Sequence, residues 1–290
     1  MTEIRKVGVV GCGLMGSGIA QIAATAGHQV VVVESNAGAL ETGLGRIRGS
    51  LAKLTDKGKI STEMRDRALV AIESSDTLEA LGDCDLVVEA IVEDLEVKKT
   101  LFADLGRATR DDCILASNTS SFPISAMAEA SGRPSRVLGL HFFNPVPLMK
   151  LVEVVQSEKT DDDAFAEARA FAERCGKAPI RASDTPGFVV NRLLVPYLVE
   201  AIRMLERGEA TKEDIDTGMM LGCGHPMGPL TLLDYVGLDT TLFIIDGWHE
   251  RFPNDPLFTP PESLRQMVAE GRLGRKSGRG FYEWDGDKRK

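Results

Sequence analysis

Residues Val7 to Glu34 read VGVVGCGLMGSGIAQIAATAGHQVVVVE, and this stretch decides the fold. It opens on a short apolar run bounded by Gly11, which is typical of a buried parallel strand. A helical stripe of apolar residues follows, and a second apolar run, Val30 to Val33, closes the stretch. The order strand, helix, strand predicts the first unit of a doubly wound α/β sheet.

The turn between this strand and helix matches G-x-G-x-x-G at Gly11, Gly13 and Gly16. The first glycine of the pattern permits a tight turn, the second admits a pyrophosphate close to the backbone, and the third lets the helix pack closely on the strand. Glu34 follows the second strand, where a carboxylate accepts hydrogen bonds from an adenosine ribose diol and repels a 2′-phosphate. Together these features predict a dinucleotide site that favours NAD over NADP. A glycine turn that binds nothing is the alternative.

The composition narrows the class of protein. The 290 residues allow one large domain or two of ordinary size, and the net charge of −9 argues against a nucleic-acid partner. No apolar run is long enough to span a membrane, and Met1 to Lys6 leave no room for a leader, so we expect a cytoplasmic protein. The five scattered cysteines predict reduced packing residues, and no metal-ligand cluster is visible.

A basic helix face follows the dinucleotide unit. An apolar stripe from Leu40 to Leu54 predicts a long helix, and its other face carries Arg46, Ser50 and Lys53, with Lys57 in the turn beyond. Such a group of charges suits an anionic substrate tail. A solvated helix face is the alternative interpretation.

His141 and Glu153 are the candidate catalytic pair. His141 follows a predicted strand, Val137 to Leu140, and Glu153 lies within another, Leu151 to Val155. Oxidising an alcohol requires removal of the hydroxyl proton, and imidazole titrates near neutral pH. A carboxylate behind the ring orients it and stabilises the imidazolium. A hydrogen-bonded core histidine and a charge at a strand edge are the alternatives.

The segment Asp184-Thr185-Pro186-Gly187 interrupts the pattern and predicts a domain boundary, with domains over residues 1–184 and 185–290. The second part predicts helices over Phe188 to Arg207, Thr211 to Leu221, Leu230 to His249 and Pro261 to Glu270. The first of them has enough apolar surface to pack against other helices or a second subunit. We therefore expect an α/β fold, in which a Rossmann-type doubly wound sheet is followed by a smaller all-α C-terminal domain.

Over nearly its whole length the chain resembles the L-3-hydroxyacyl-CoA dehydrogenases. The resemblance is carried by GCGLMGSGIAQ, DLVVEAIVE, SNTSS, HFFNPVP, DTPGFVVNR, GHPMGPLTLLDYVGLD and GRKSGRGFY. The segment HFFNP followed by LVEV is its most specific part, since related hydroxyacid dehydrogenases share the glycine turn and lack this set.

The resemblance implies roles for individual residues. His141 is the general base and Glu153 its partner, Ser120 and Asn144 touch substrate and nicotinamide, and Asn191 reaches the cleft from the helical domain. The implied cofactor-binding set is Gly11, Gly13, Leu14, Met15, Gly16, Glu34, Glu93, Lys98, Ser120, Asn144 and Lys276. The implied CoA-binding set is Ser50, Lys57 and Ser120, and no metal is expected.

The activity implied is reversible NAD-dependent oxidation of (S)-3-hydroxyacyl-CoA, such as 3-hydroxybutyryl-CoA, to 3-oxoacyl-CoA, in fatty-acid β-oxidation or butanoate metabolism. The family is typically a homodimer formed through the C-terminal helices.

Glu34 departs from the more usual aspartate, and we expect NAD preference to survive the extra methylene. The chain is too short for an added hydratase domain and is expected to act alone. A dehydrogenase of a free hydroxy acid and a non-catalytic NAD-binding protein are the alternatives.

Overall fold

The computed structural model describes residues 3–290, so Met1 and Thr2, where the predicted first domain begins, lie outside it. The chain divides into two compact units, one ending at Phe188 and the other spanning Val189–Lys290. The segment after Asp184 stays with the first unit because the Asp184 carboxylate accepts hydrogen bonds from the backbone N–H groups of Ile124 and Ser125, at 2.7 and 2.8 Å. The division therefore falls just beyond the boundary expected between residues 184 and 185.

Eight strands of the described chain form one sheet in the first unit. They are β1 (Lys6–Val10), β2 (Gln29–Val33), β3 (Ile72–Ser75), β4 (Leu86–Glu89), β5 (Ile114–Ser117), β6 (Val137–Phe142), β7 (Leu151–Gln156) and β8 (Ala178–Ser183). Their order across the sheet is β3-β2-β1-β4-β5-β6-β7-β8, and every neighbouring pair is parallel except β6 and β7. The first six strands have the doubly wound order, so the predicted Rossmann-type fold is confirmed.

Helices cover both faces of this sheet. They are α1 (Leu14–Thr25), α2 (Ala37–Asp56), α3 (Thr62–Val70), α4 (Leu95–Ala108), α5 (Ile124–Ala130) and α6 (Asp162–Arg174). Alternate residues of β2 enter different cores: Val30 and Val32 pack on one side of the sheet and Val31 and Val33 on the other. This two-sided burial explains why the central strands read as continuous apolar runs.

One predicted strand end is wrong. The sequence indicated that β6 stops at Leu140, and it continues through His141 to Phe142. Two interactions extend it: the Phe142 N–H donates to Asn118 Oδ1 at 2.9 Å, and His141 pairs with Glu153 on β7. His141 is therefore held in a strand and does not lie in the irregular loop that follows.

The second unit is helical, as predicted, and ends in a small hairpin. Its helices are α7 (Val190–Glu206), α8 (Lys212–Cys223), α9 (Pro229–Val236), α10 (Leu238–Arg251) and α11 (Glu262–Ala269), and its hairpin pairs β9 (Trp284–Asp285) with β10 (Lys288–Arg289). The single helix predicted over 230–249 is wrong. Gly237, with φ +101°, breaks it into α9 and α10, and the apolar periodicity runs on across that break.

The glycine-rich C-terminal segment is fixed to the helices. The buried Asp234 carboxylate accepts hydrogen bonds from the backbone N–H groups of Phe281 and Tyr282 and from Trp284 Nε1, at 2.8, 2.9 and 2.9 Å. Burial raises the pKa of Asp234, and these three donors oppose the rise.

None of the helices within residues 3–290 is long and apolar enough to cross a membrane.

Candidate active site

The glycine turn lies between β1 and α1, at the carboxyl edge of the sheet. Gly11 adopts φ +95°, and a Cβ on Gly16 would lie 1.8 Å from the Gly11 carbonyl oxygen. A Cβ on Gly13, in contrast, would meet no atom of residues 3–290 within 4 Å. Gly11 and Gly16 thus serve the turn and its packing, and Gly13 leaves open space in front of the first turn of α1. The N–H groups at such a terminus lack helical partners, so the place suits a pyrophosphate.

Glu34 is fixed beside this turn. Its Oε2 accepts a hydrogen bond from the Cys12 N–H at 3.0 Å, and its Oε1 accepts one from the Asn36 N–H at 3.1 Å. A carboxylate at the end of the second strand is the group that accepts a ribose diol in a dinucleotide fold. The open space at Gly13, the helix terminus and this acid together fit an NAD molecule.

Cys12 is a packing residue within the turn. Its side chain is fully buried, and a Cβ on Gly43 of α2 would lie 2.3 Å from its Sγ. Burial raises its pKa to about 11, with the Glu34 charge adding to the effect. The thiol is therefore protonated near neutral pH, and it is shielded from reagents by α2.

His141 and Glu153 form the most specific contact of the site. The two residues lie directly opposite each other on the antiparallel strands β6 and β7, and His141 Nδ1 lies 2.6 Å from Glu153 Oε2. Both side chains are buried. The histidine ring also packs against Phe143 and Phe188, with centroids 4.6 and 5.6 Å away. The carboxylate engages Nδ1, which leaves Nε2 as the nitrogen that can act on a substrate.

Ser120 and Glu93 meet at the ends of β4 and β5. Glu93 Oε1 accepts hydrogen bonds from Thr119 Oγ1 at 2.6 Å and from the Ser120 N–H at 3.2 Å. Lys98 of α4 places its Nζ 3.2 Å from Glu93 Oε2. These three of the predicted cofactor residues are therefore joined in one network at the carboxyl edge of the sheet.

Ser50, Lys57 and Asn144 line one cavity of about 450 Å³ in the first unit. Arg46 and Lys53 also line it, so three basic side chains surround a space that the loop after β6 closes from the other side. The cavity brings together two of the predicted CoA-binding residues and one predicted to contact substrate. Its charge suits an anionic ligand tail.

Asn191 and Lys276 belong to the second unit. Asn191 lies in the first turn of α7 and is half-buried. Lys276 Nζ forms an ion pair with Asp239 at 2.6 Å. Their predicted approach to substrate and cofactor remains a prediction.

Sequence reasoning missed several polar residues that support the site. Glu89 ends β4 as a buried carboxylate, Asn118 holds the end of β6, and Lys177 donates to the carbonyl oxygens of Val146 and Met149 at 2.5 and 2.8 Å. An acid within the apolar run LVVE was a visible signal for Glu89. Lys177 carried no such signal, because its partners are backbone atoms of a distant loop.

Two family models match the chain, and they meet close to the division between its two units. Residues 6–185 match the family model described as 3-hydroxyacyl-CoA dehydrogenase, NAD binding domain. Residues 187–284 match the 3-hydroxyacyl-CoA dehydrogenase C-terminal domain.

Individual proteins that match nearly the whole of this chain are also known. The chain is 50% identical over 287 residues to a mitochondrial hydroxyacyl-coenzyme A dehydrogenase of Rattus norvegicus, covering 97% of this chain and 91% of that one. It is 51% identical over 283 residues to a 3-hydroxybutyryl-CoA dehydrogenase of Mycobacterium tuberculosis, covering 97% and 99%. A solved (S)-3-hydroxybutyryl-CoA dehydrogenase from Ralstonia eutropha matches with a TM-score of 0.94 and 42% identity, covering 98% and 100%.

Proposed function

The chain belongs to the 3-hydroxyacyl-CoA dehydrogenase family, an NAD-dependent oxidoreductase family, and from that premise we propose how its residues perform the reaction. The proposed reaction is the reversible oxidation of (S)-3-hydroxyacyl-CoA to 3-oxoacyl-CoA. The observation that carries the proposal is the 2.6 Å contact between His141 Nδ1 and Glu153 Oε2. A buried imidazole with a carboxylate on one nitrogen is a general base whose other nitrogen is free for substrate.

His141 moves the proton in this proposal. Bound NAD supplies the acceptor for the hydride that leaves C3 of the substrate. His141 Nε2 takes the hydroxyl proton, and the electron pair of the O–H bond becomes the second bond of the new carbonyl group. Glu153 stabilises the imidazolium formed on His141 and keeps the ring in the tautomer that has Nδ1–H. In the reverse direction the imidazolium returns the proton to the oxygen.

Ser120, Asn144 and Asn191 are proposed to contact substrate and nicotinamide. Support for Ser120 comes from its backbone N–H, which Glu93 holds at the carboxyl edge of the sheet. Support for Asn144 comes from its place in the lining of the cavity. Asn191 is assigned on the family resemblance together with its position at the start of α7.

The CoA portion is proposed to occupy the cavity lined by Ser50 and Lys57. Arg46 and Lys53 beside them add positive charge for the CoA phosphates. The basic helix face is therefore interpreted as a binding surface. Substrates such as 3-hydroxybutyryl-CoA fit this proposal, and the reaction would serve fatty-acid β-oxidation or butanoate metabolism.

The remaining cofactor assignments follow the dinucleotide fold. We assign the pyrophosphate to the turn from Gly11 to Gly16, including Leu14 and Met15, and the adenosine ribose to Glu34. Glu93 and Lys98 are assigned to the nicotinamide half, and Lys276 is assigned to the cofactor from the second unit. NAD is proposed to be preferred over NADP because the Glu34 carboxylate repels a 2′-phosphate.

We further propose that the protein is a homodimer formed through its C-terminal helices, with the first domain binding NAD and the CoA portion and the second domain adding substrate and subunit contacts. Exposed apolar side chains on α7, α8 and α10 support it, including Leu193, Leu221 and Phe243, which are 72%, 81% and 58% exposed. Contiguous exposed apolar surface is a feature of subunit interfaces, and these helices would supply it if their apolar side chains adjoin. The cytoplasmic location expected from the sequence is also kept as a proposal.

The test is the initial rate of NADH oxidation with acetoacetyl-CoA, compared with NADPH and with free acetoacetate. Fast turnover with NADH and the CoA thioester alone supports the proposal. Equal turnover of free acetoacetate would favour a dehydrogenase of free hydroxy acids. NADH binding without turnover would favour a non-catalytic protein.

A further inference from the structure

A buried carboxylate, Glu89, lies behind the residues assigned to the nicotinamide half of the cofactor. It ends β4 and is fully buried. Its Oε1 accepts hydrogen bonds from Lys98 Nζ at 2.5 Å and from the Ile91 N–H at 2.8 Å, and its Oε2 accepts one from Ser117 Oγ at 2.6 Å. Donors thus reach both oxygens, which is the arrangement that allows a charge to be buried.

Lys98 is shared between two carboxylates. Its side chain is 1% exposed, and its Nζ lies 2.5 Å from Glu89 Oε1 and 3.2 Å from Glu93 Oε2. A buried ammonium requires compensation by opposite charge, and Glu89 is the closer source. Glu93 contacts Lys98 through Oε2, and its Oε1 accepts hydrogen bonds from Thr119 Oγ1 and the Ser120 N–H.

We propose that Glu89 is a positioning residue for NAD binding. It fixes Lys98 in place, and the Lys98–Glu93 contact then holds the Ser120 segment where the nicotinamide half binds. Glu89 acts through Lys98 and touches neither cofactor nor substrate. This inference rests on the proposed assignment of Lys98 and Glu93 to the cofactor.

A purely structural role makes a different prediction. If the Glu89–Lys98 pair only stabilised the sheet edge, losing it would lower the stability of the protein and leave the NADH affinity of the folded molecules unchanged. If Glu89 positions Lys98, the affinity of the folded protein falls. A binding measurement on folded protein therefore separates the two roles.

The first experiment is a fluorescence titration of NADH binding to Glu89→Gln, with folding verified by far-UV circular dichroism. The amide keeps the shape of the side chain and removes the charge opposite Lys98. We expect the Kd for NADH to rise at least about tenfold, the scale of losing one partner of a buried charge pair. The matched control is Glu96→Gln on α4, whose carboxylate pairs with Lys99 at the surface, and its Kd should not change. A folded Glu89→Gln protein with wild-type affinity overturns the inference.

A second comparison tests the inference if the Glu89→Gln protein does not fold. The variants Lys98→Met and Glu89→Gln/Lys98→Met are titrated in the same way, and the double variant removes both charges of the buried Glu89–Lys98 pair. If Glu89 acts through Lys98, the two Kd values agree within about twofold. A further tenfold weakening in the double variant would contradict the inference.

These titrations are independent of turnover. A wild-type protein that binds NADH without reducing acetoacetyl-CoA contradicts the proposed function alone. A wild-type protein that reduces acetoacetyl-CoA, together with an unaltered NADH affinity of Glu89→Gln, contradicts the role of Glu89 alone.

Discussion

His141 and Glu153 face each other across the antiparallel strands β6 and β7, and the ring nitrogen Nδ1 lies 2.6 Å from the carboxylate Oε2. Backbone register creates this contact, because directly opposed residues of an antiparallel pair project to the same face of the sheet. A slip of one residue would turn Glu153 to the other face. The position of the proposed base is therefore fixed by the sheet itself.

Cofactor preference should depend on the Glu34 charge. We expect Glu34→Gln to raise the ratio of kcat/KM with NADPH to kcat/KM with NADH at least about fivefold, because the carboxylate that repels a 2′-phosphate is gone. The amide oxygen can still accept the Cys12 N–H. Steady-state kinetics with both cofactors measure the ratio. The control is Glu41→Gln, whose carboxylate pairs with Arg48 at the surface. An unchanged ratio would contradict the assignment of Glu34 to the adenosine ribose.

Lys57 should contribute to the binding of the CoA tail. We expect Lys57→Ala to raise the KM for acetoacetyl-CoA about two- to fivefold, the scale of one exposed ion pair, and to leave the KM for NADH unchanged. The effect should shrink at high salt because exposed charges are screened. Lys59→Ala is the control, since Lys59 is exposed in the same turn and does not line the cavity. Equal effects of the two substitutions would show that the basic helix face is a solvated surface and does not bind the CoA tail.

His28 should make the protein less stable in mild acid. Its side chain is buried against Phe171, and its pKa is lowered by burial, with a smaller contribution from the Arg174 charge. The unfolded chain therefore binds more protons than the folded one below the ordinary histidine pKa of about 6.5. The stability associated with the neutral ring is present above this pH and is lost as the pH falls toward the lowered folded-state pKa.

Urea unfolding at about pH 7.5 and pH 5 measures this effect. The fall in the unfolding midpoint should be smaller in His28→Gln than in the wild type. His225→Gln, at an exposed histidine, should behave as wild type. Identical pH dependence in all three proteins would show that His28 titrates alike in both states.

Dimer formation should depend on α7. We expect the wild type to have the mass of a dimer in light scattering and Leu193→Glu to shift toward the monomer, because a charge placed in an apolar interface is costly to bury. The control is Val70→Glu, at an apolar residue of the first unit whose exposed fraction is 85%. A wild-type monomer, or a Leu193→Glu dimer as stable as the wild type, would contradict the proposed interface.

Much of the fold could be predicted because its signals are local. The glycine turn, the apolar strands and Glu34 lie within 28 consecutive residues, Val7 to Glu34. The break at Gly237 was missed because one glycine does not interrupt an apolar period, although its positive φ ends the helix. The end of β6 was missed because the side chain of Asn118, 24 residues away, extends the strand.

The site was predictable in its members and less so in its geometry. His141 stood out at a strand end and Glu153 as a carboxylate within an apolar strand. Their contact depends on the antiparallel register of β6 and β7, which no local pattern revealed. Glu89 and Lys98 belong to different elements, and their pairing requires the turn between β4 and α4. Residues of the second unit could be assigned only through the family resemblance.

The most direct test of the account is turnover by Glu153→Gln, measured as kcat with NADH and acetoacetyl-CoA alongside the Kd for NADH. We predict that kcat falls about 10²- to 10⁴-fold, the usual scale of general acid–base catalysis, while the Kd for NADH changes less than about twofold. Glu173→Gln, at a surface carboxylate paired with Arg169, should keep wild-type kcat. Wild-type kcat in a folded Glu153→Gln enzyme would contradict the assignment of proton transfer to His141 and Glu153.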